Sequence, residues 1–298
     1  MNLKNLKYKS LFSFFFCLSF LFTIVLHFSL SPIITAVEYI EPIKTPALIT
    51  MTPSVPTIPS ADLDEGNRTK LQRVNTLNFA SAHKIFIYHT HNRESWIPEL
   101  DSIIKPEDAF DQTINVTLLG KRLSDKLKSN GLEVVHSNKD YPSKVEKFNY
   151  ARSYQYSKET VRSVLNKDED IRYLFDLHRD SEGREKTTIQ YNNENYAQVY
   201  FVVGTEYSDW EKNRKFAEKI QEMLNQRIPN LSKGIYLKDK SSGNGEYNQS
   251  LSSSSALIEI GGVENTLKES YRTIDMLAEV IHEMTVESDS PALLAANF

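Results

Sequence analysis

The sequence predicts an α/β domain, a mostly parallel sheet flanked by helices on both faces. Three observations carry this. Short apolar runs of strand length alternate with runs of helical period between about residues 84 and 287. The order is strand then helix, repeated, which is how parallel strands are joined by crossovers. Three of the predicted strands end in ionisable residues, and open α/β sheets bind ligands outside the carboxyl ends of their strands.

Each element has a reason. Lys84–Tyr88 (KIFIY) is an apolar run that predicts a buried first strand. Val116, Leu119, Leu123 and Leu127 recur at helical spacing, and Gly131 is a fitting stop. Leu132–His136 predicts a second strand, and a second helix ends over Thr160–Asn166. Ile171–Leu177 and Ala197–Val203 predict the third and fourth strands. Trp210, Ala217, Ile220 and Leu224 mark the next helix, and Ile235–Leu237 a short strand. Ser241–Ser255 is rich in Ser, Gly and Asn and predicts a loop. Ala256–Ile260 predicts a further main strand. Tyr271, Ile274, Leu277, Ile281 and Met284 predict a long final helix. Gly261 and Gly262 allow a tight turn between the two, with Glu264 and Asn265 placed to cap the helix.

The segment before this domain reads differently. Lys4, Lys7 and Lys9 precede a run, Ser10–Val37, with no Asp, Glu, Lys or Arg. Residues 10–31 are expected to form a single transmembrane anchor, with 1–9 as a cytoplasmic tail. The alternative is a cleaved signal peptide with a cut near Thr35 and Ala36. Residues 32–80 form an expected extracytoplasmic linker, stiffened by Pro42, Pro46, Pro53, Pro56 and Pro59. The catalytic domain is placed at 81–287 and a short tail at 288–298. The expected location is the cell membrane, single-pass, with the domain outside.

Composition narrows the function. The 298-residue chain carries a net charge of −4, with 25% charged residues and no basic stripe, which argues against a nucleic-acid partner. Its one cysteine, Cys17, excludes an intrachain disulfide.

The chemistry gathers at the strand ends. The first strand delivers His89, His91 and Glu94; the third yields His178, in FDLHRDS; the late strand carries Glu259, in LIEIGG. Two histidines and a carboxylate suit a zinc ion with a fourth position left for water, and a further carboxylate can take that water's proton. His91, Glu94 and His178 are the expected metal ligands and Glu259 the expected general base. An acid among aliphatic residues is costly unless it has a task. His89 and His91 share a face by strand alternation, so pattern alone leaves open a swap of roles. His178 can instead pair with Asp176 or Asp180. His89 is otherwise a candidate to support the ligands or meet substrate, and Arg179 and Asp180 are candidates to position His178 or meet substrate; the tyrosines and Trp96 read as core or cleft wall, with Trp96 also a candidate to stack on a sugar. His83, His136 and His282 read as structural or solvated.

The blocks IYHTHNRESW, FDLHRDS and IEIGGVENTLKES together resemble the stage II sporulation protein P family. The resemblance implies a zinc-dependent cell-wall hydrolase, similar in fold to zinc N-acetylmuramoyl-L-alanine amidases and phosphorylase/hydrolase-like proteins. It implies peptidoglycan as substrate, cleavage between muramic acid and the stem peptide, endopeptidase cleavage of cross-links, and the stage II sporulation proteins D and M as partners in engulfment. It matches His91 and His178 to the zinc histidines and Glu259 to the catalytic glutamate. The wider amidase fold takes its middle ligand from just before the first long helix, where this chain has Asp111 and Gln112; Glu94 is expected in its place. Two other readings share the inventory. A zinc carboxypeptidase needs an arginine for the terminal carboxylate, for which Arg93 and Arg179 are the candidates. A wall-binding scaffold with an inactive site needs no metal at all.

Overall fold

In a computed structural model, residues 84–101 and 105–288 are described. Among them is a six-stranded sheet in the order β2-β1-β3-β8-β6-β7. Its strands are β1 (Lys84–Tyr88), β2 (Val134–His136), β3 (Ile171–Asp180), β6 (Val199–Gly204), β7 (Ser232–Lys238) and β8 (Ser255–Gly262). A separate hairpin pairs β4 (Thr188–Tyr191) with β5 (Glu194–Ala197). The larger helices are α1 (Thr117–Ser129), α3 (Ser153–Leu165), α5 (Trp210–Arg227) and α6 (Leu267–Ser288); α2 (Tyr141–Lys144) and α4 (Arg184–Thr187) are single turns.

Strand alternation sorts the side chains into two layers. Ile85, Ile87, Phe175, Leu177, Ile258 and Ile260 point to one face and pack with apolar residues of α1, α5 and α6. Phe86, Tyr88 and Leu174 point to the other, where Val161 of α3 meets them. Further along that face Tyr154, from the first turn of α3, and Tyr247, from a loop, pack over Val202 and Leu257. The functional cavity lies on this more thinly covered side.

The sheet is mostly parallel, as the sequence predicts, with one antiparallel junction that it does not. β2, β1, β3 and β8 run parallel, but β6 is antiparallel to β8 and carries β7 with it. The reason is the link from β3 to β6. A parallel return needs a crossover to the far rim of the sheet. Here the link folds into α4 and the β4–β5 hairpin, and the chain re-enters beside the end of β8, with Val199 opposite Ile260. The hairpin turns at Asn192 and Asn193, both at positive φ (48° and 61°), a pairing that asparagine tolerates.

The expected single-pass membrane location is corrected: among the described residues no helix is long and apolar enough to cross a membrane. The run at 10–31 on which that expectation was placed, the linker 32–80, His83 and the tail beyond 288 lie outside the described residues.

Candidate metal centre and its cavity

The site starts where β1 stops. After Tyr88 the chain turns, and the Glu94 N–H donates to the His91 carbonyl (3.0 Å), so that His91 and Glu94 stand side by side. The turn is pinned from both flanks. On one, Asp140 accepts from Asn92 Nδ2 (2.9 Å) and from Arg93 Nε and Nη2 (2.8 and 2.7 Å), and Arg93 holds its carboxyl well below the usual range. On the other, buried Arg179 donates from Nε to the Ser95 carbonyl (2.7 Å) and from Nη2 to the Ala109 carbonyl (2.8 Å). The Arg179 backbone N–H also donates to Glu94 Oε2 (3.1 Å). Arg179 thus clamps the loop that carries Glu94.

The second histidine comes from β3. Alternation places Leu174, Asp176 and His178 on the thinly covered face. His91 Nδ1 lies 3.1 Å from one Glu94 oxygen and His178 Nδ1 lies 3.3 Å from the other. Ligand atoms of His91, Glu94 and His178 all fall within 4.8 Å of one another. Behind His178, its Nε2 faces Asp176 Oδ1 at 3.0 Å, an ion-pair contact outside hydrogen-bond alignment. Asp176 is itself fixed by the Thr90 N–H (2.8 Å) and Thr90 Oγ1 (2.6 Å). A carboxylate behind a ligating imidazole orients the ring and raises its basicity. The donor set fits a zinc ion: two imidazole nitrogens converge on one carboxylate, and the rear nitrogen of His178 is backed by another.

The charges follow from this packing. Burial acts to lower the His178 pKa, but Asp176 and Glu94 outweigh it and raise it well above the ordinary value. Burial acts to raise that of Glu94, and His178 and His91 reverse the shift.

Glu259 is the direct neighbour of His178 across the sheet, in the β3–β8 register. Its Oε2 is buried with no hydrogen-bond partner. Burial first, then the nearby Glu94 and Asp180 carboxylates, push its pKa up to about 8, against the opposing pull of His178. His91, Glu94, Asp180 and Glu259 line one cavity of about 550 Å³. Aromatic rings form its wall. Tyr150 stacks on His91 at 4.5 Å between centroids and Tyr154 meets it edge-on at 5.4 Å. Phe110 packs against Tyr150 and lies under the Arg179 guanidinium.

Several expected residues sit elsewhere. His89 faces the α1 side: its Nδ1 pairs with the Leu177 carbonyl (3.0 Å) and its Nε2 with His136 Nε2 (3.0 Å). The turn at 90–93 separates it from His91, because His91 no longer follows strand alternation. Trp96, the sugar-stacking candidate, is wholly buried in the core and lines no cavity described. Asp111 accepts from the Thr113 and Ile114 N–H groups (both 2.7 Å) in a turn and stands outside the three-residue cluster. Arg93 and Arg179, the two candidates to clamp a terminal carboxylate, already have their guanidinium donors engaged. The reading of the tyrosines as core or cleft wall does not single out Tyr150 and Tyr154, which come from a loop and a helix distant from the motif blocks, and Phe110 has no signal in the sequence. Asp176 had one: it stands two residues before His178, on the same strand face.

Comparison with known proteins places these residues in context. The sequence model of the family described as Stage II sporulation protein P (SpoIIP) matches residues 56–282. The stage II sporulation protein P of Bacillus subtilis (strain 168) is 38% identical over 202 residues, covering 67% of this chain and 50% of that protein. The chain therefore spans about half the length of this curated relative. Among solved structures, an N-acetylmuramoyl-L-alanine amidase from Clostridium difficile 630 is 16% identical with a TM-score of 0.40, over 70% of this chain and 96% of that one. The CwlD amidase from Clostridioides difficile, solved in complex with the GerS lipoprotein, is 14% identical with a TM-score of 0.43, over 69% and 99%. A metallo-carboxypeptidase from Burkholderia cenocepacia is 11% identical with a TM-score of 0.41, over 70% and 57%.

Proposed function

Because the chain belongs to the stage II sporulation protein P family, we propose that it is a zinc-dependent peptidoglycan hydrolase acting in sporulation. The bond proposed is the amide between muramic acid and the stem peptide, the N-acetylmuramoyl-L-alanine amidase reaction, with endopeptidase cleavage of cross-links as a further activity. The stage II sporulation proteins D and M are the proposed partners during engulfment. His91, Glu94 and His178 are the proposed ligands and Glu259 the proposed general base.

One observation carries this reading. Three metal-type donors, on His91, Glu94 and His178, lie within 4.8 Å of one another, and two of these residues, His91 and Glu94, line the same cavity as Glu259, whose Oε2 is buried and unpartnered. A bound zinc ion would polarise the scissile carbonyl and make water a better acid. This chain's own residues supply the rest. Glu259, which the charge of a bound dication would draw toward its ionised form, accepts a proton from the attacking water at Oε2 and returns it to the leaving amine, so one group serves both halves of the reaction. Asp176 and the Arg179 clamp keep His178 and Glu94 in place during that exchange. Tyr150 and Phe110 wall the cavity and limit the water that reaches it.

The variant Glu259→Gln keeps the shape and removes the base. It should bind zinc at wild-type stoichiometry while release of peptide from purified wall falls at least ~100-fold, in the range typical of general-base removal. Normal wall digestion by this variant would show that Glu259 has another role.

A further inference from the structure

A second cavity opens beside the first. It has a volume of about 360 Å³ and shares Asp180, Val202, Lys238 and Glu259 with the catalytic cavity, so the two adjoin. Its floor is the outer part of the sheet. The registers of β3, β8, β6 and β7 align His178, Glu259, Tyr200 and Gly234 in one row across four strands. The next row holds Asp176, Leu257, Val202 and Tyr236. With neighbouring strands about 4.8 Å apart, Tyr200 adjoins Glu259 and Tyr236 lies one strand further out.

Two ammonium groups hang over this floor. Lys233 Nζ lies 5.2 Å from the Tyr200 ring centroid and Lys238 Nζ lies 5.1 Å from that of Tyr236. Lys233 donates to the Lys186 carbonyl (2.6 Å). Among the described residues neither lysine makes an ion pair, whereas Lys186 is taken by Glu182 at 2.8 Å. The acids of this cavity, Asp180, Glu182 and Glu259, stand on the side of β3 and β8. The unpaired cations stand on the side of β7, beside a half-exposed tyrosine. An anionic group entering the shelf is therefore drawn outward, away from the carboxylates and onto the two lysines.

We infer that the Tyr200–Tyr236 shelf is the subsite for the peptide arm of the substrate, and that Lys233 and Lys238 bind a carboxylate on that arm. This rests on the wall-hydrolase reading for the identity of the substrate. Because the two cavities adjoin at Asp180 and Glu259, a peptide bonded at the metal centre can extend over Tyr200 along the protein surface. A charge-assisted hydrogen bond from lysine to carboxylate, partly screened by solvent, accounts for a preference of about tenfold.

The test uses the full chain carrying Glu259→Gln, so that ligand is not consumed. Calorimetric titration compares a synthetic muramyl tetrapeptide having free carboxylates with the same compound having them amidated. The free form should bind about tenfold more tightly, and the joint change Lys233→Gln with Lys238→Gln should erase the difference. Lys186→Gln should preserve it, and matching thermal melts should show each variant folded. Equal binding of both ligands to the parent, binding of neither, or a preference that survives the double change overturns the assignment. The hydrolase reading fails separately, if the wild-type chain releases no peptide from purified wall.

Discussion

At the scale of single residues, the site is defined by which side of a backbone each group lies on. His178 has carboxylates on two sides, Glu94 in front and Asp176 behind. Only the front one belongs to the proposed ligand set. Asp176 acts through His178, and changes to such a partner typically cost 10–100-fold in metal affinity. Asp176→Asn should weaken zinc binding by about that factor in a competition titration against a chelating dye, with the fold retained. Wild-type affinity in the variant would remove Asp176 from the account. His89 shows the opposite case. Two residues from His91 in sequence, it is buried and pairs with the half-buried imidazole of His136 against α1. A Cβ at Gly120 would come within 2.3 Å of His89 Nε2 and 2.5 Å of His136 Nε2, so a glycine inside a helix there leaves room for two rings. Alternation predicts a common face for His89 and His91 and holds only while the strand continues. The turn that breaks it has no mark in the sequence strong enough to place it.

At the scale of elements, the junction of β8 and α6 decides how Glu259 is presented. Gly261, at φ 66°, bends the chain within the last two residues of β8, and a Cβ there would meet Asn265 Oδ1 at 2.6 Å. Asn265 Oδ1 accepts from the Gly262 N–H (2.8 Å), and Thr266 and Glu269 close a reciprocal cap on α6. The sequence marked this junction through its paired glycines and named Glu264 and Asn265 as capping residues. The reciprocal cap itself is Thr266 with Glu269, while Glu264 accepts from the Arg184 N–H (2.9 Å). Burial acts to raise the Glu269 pKa, but Arg184, the Thr266 N–H and Asn265 outweigh it and bring it down to about 2 from 4.5. A carboxyl held low in the folded state stabilises above its unfolded value and loses that stabilisation as pH falls through the folded one. Glu269→Gln should therefore cost roughly 2 kcal/mol at pH 7, less than the full linkage value because Arg184 is 38% exposed. In chemical denaturation the gap to wild type should close as pH falls from about 4.5 toward 2. A gap that stays constant over that range would assign the effect to packing instead of charge.

At the scale of the whole molecule, the two faces of the sheet divide the work. Three long helices bury one face and give the core. The other is covered by α3 and loops, which leaves space at the ends of β1, β3 and β8 for chemistry. The strands, their order of appearance and the four long helices were legible because apolar period records burial directly. The reversed direction of β6 and β7 was not, because it depends on whether a link crosses the sheet, and the β4–β5 hairpin within that link is short and mostly polar. The convergence of residues 91, 94, 178 and 259 was anticipated from strand ends. Which aromatic residues form the wall, and the lysine shelf, were not, since exposed side chains leave no periodic trace.

The most direct measurement joins metal content to product. The full chain is incubated with purified peptidoglycan, and its zinc and its soluble products are followed by mass spectrometry before chelation, after it, and after zinc is restored. The account predicts one zinc per chain, stem peptides freed from muramic acid, loss of both on chelation and recovery of both with zinc; His178→Ala should retain neither. Peptide release that continues unchanged without zinc, or a full zinc equivalent held by His178→Ala, would contradict it.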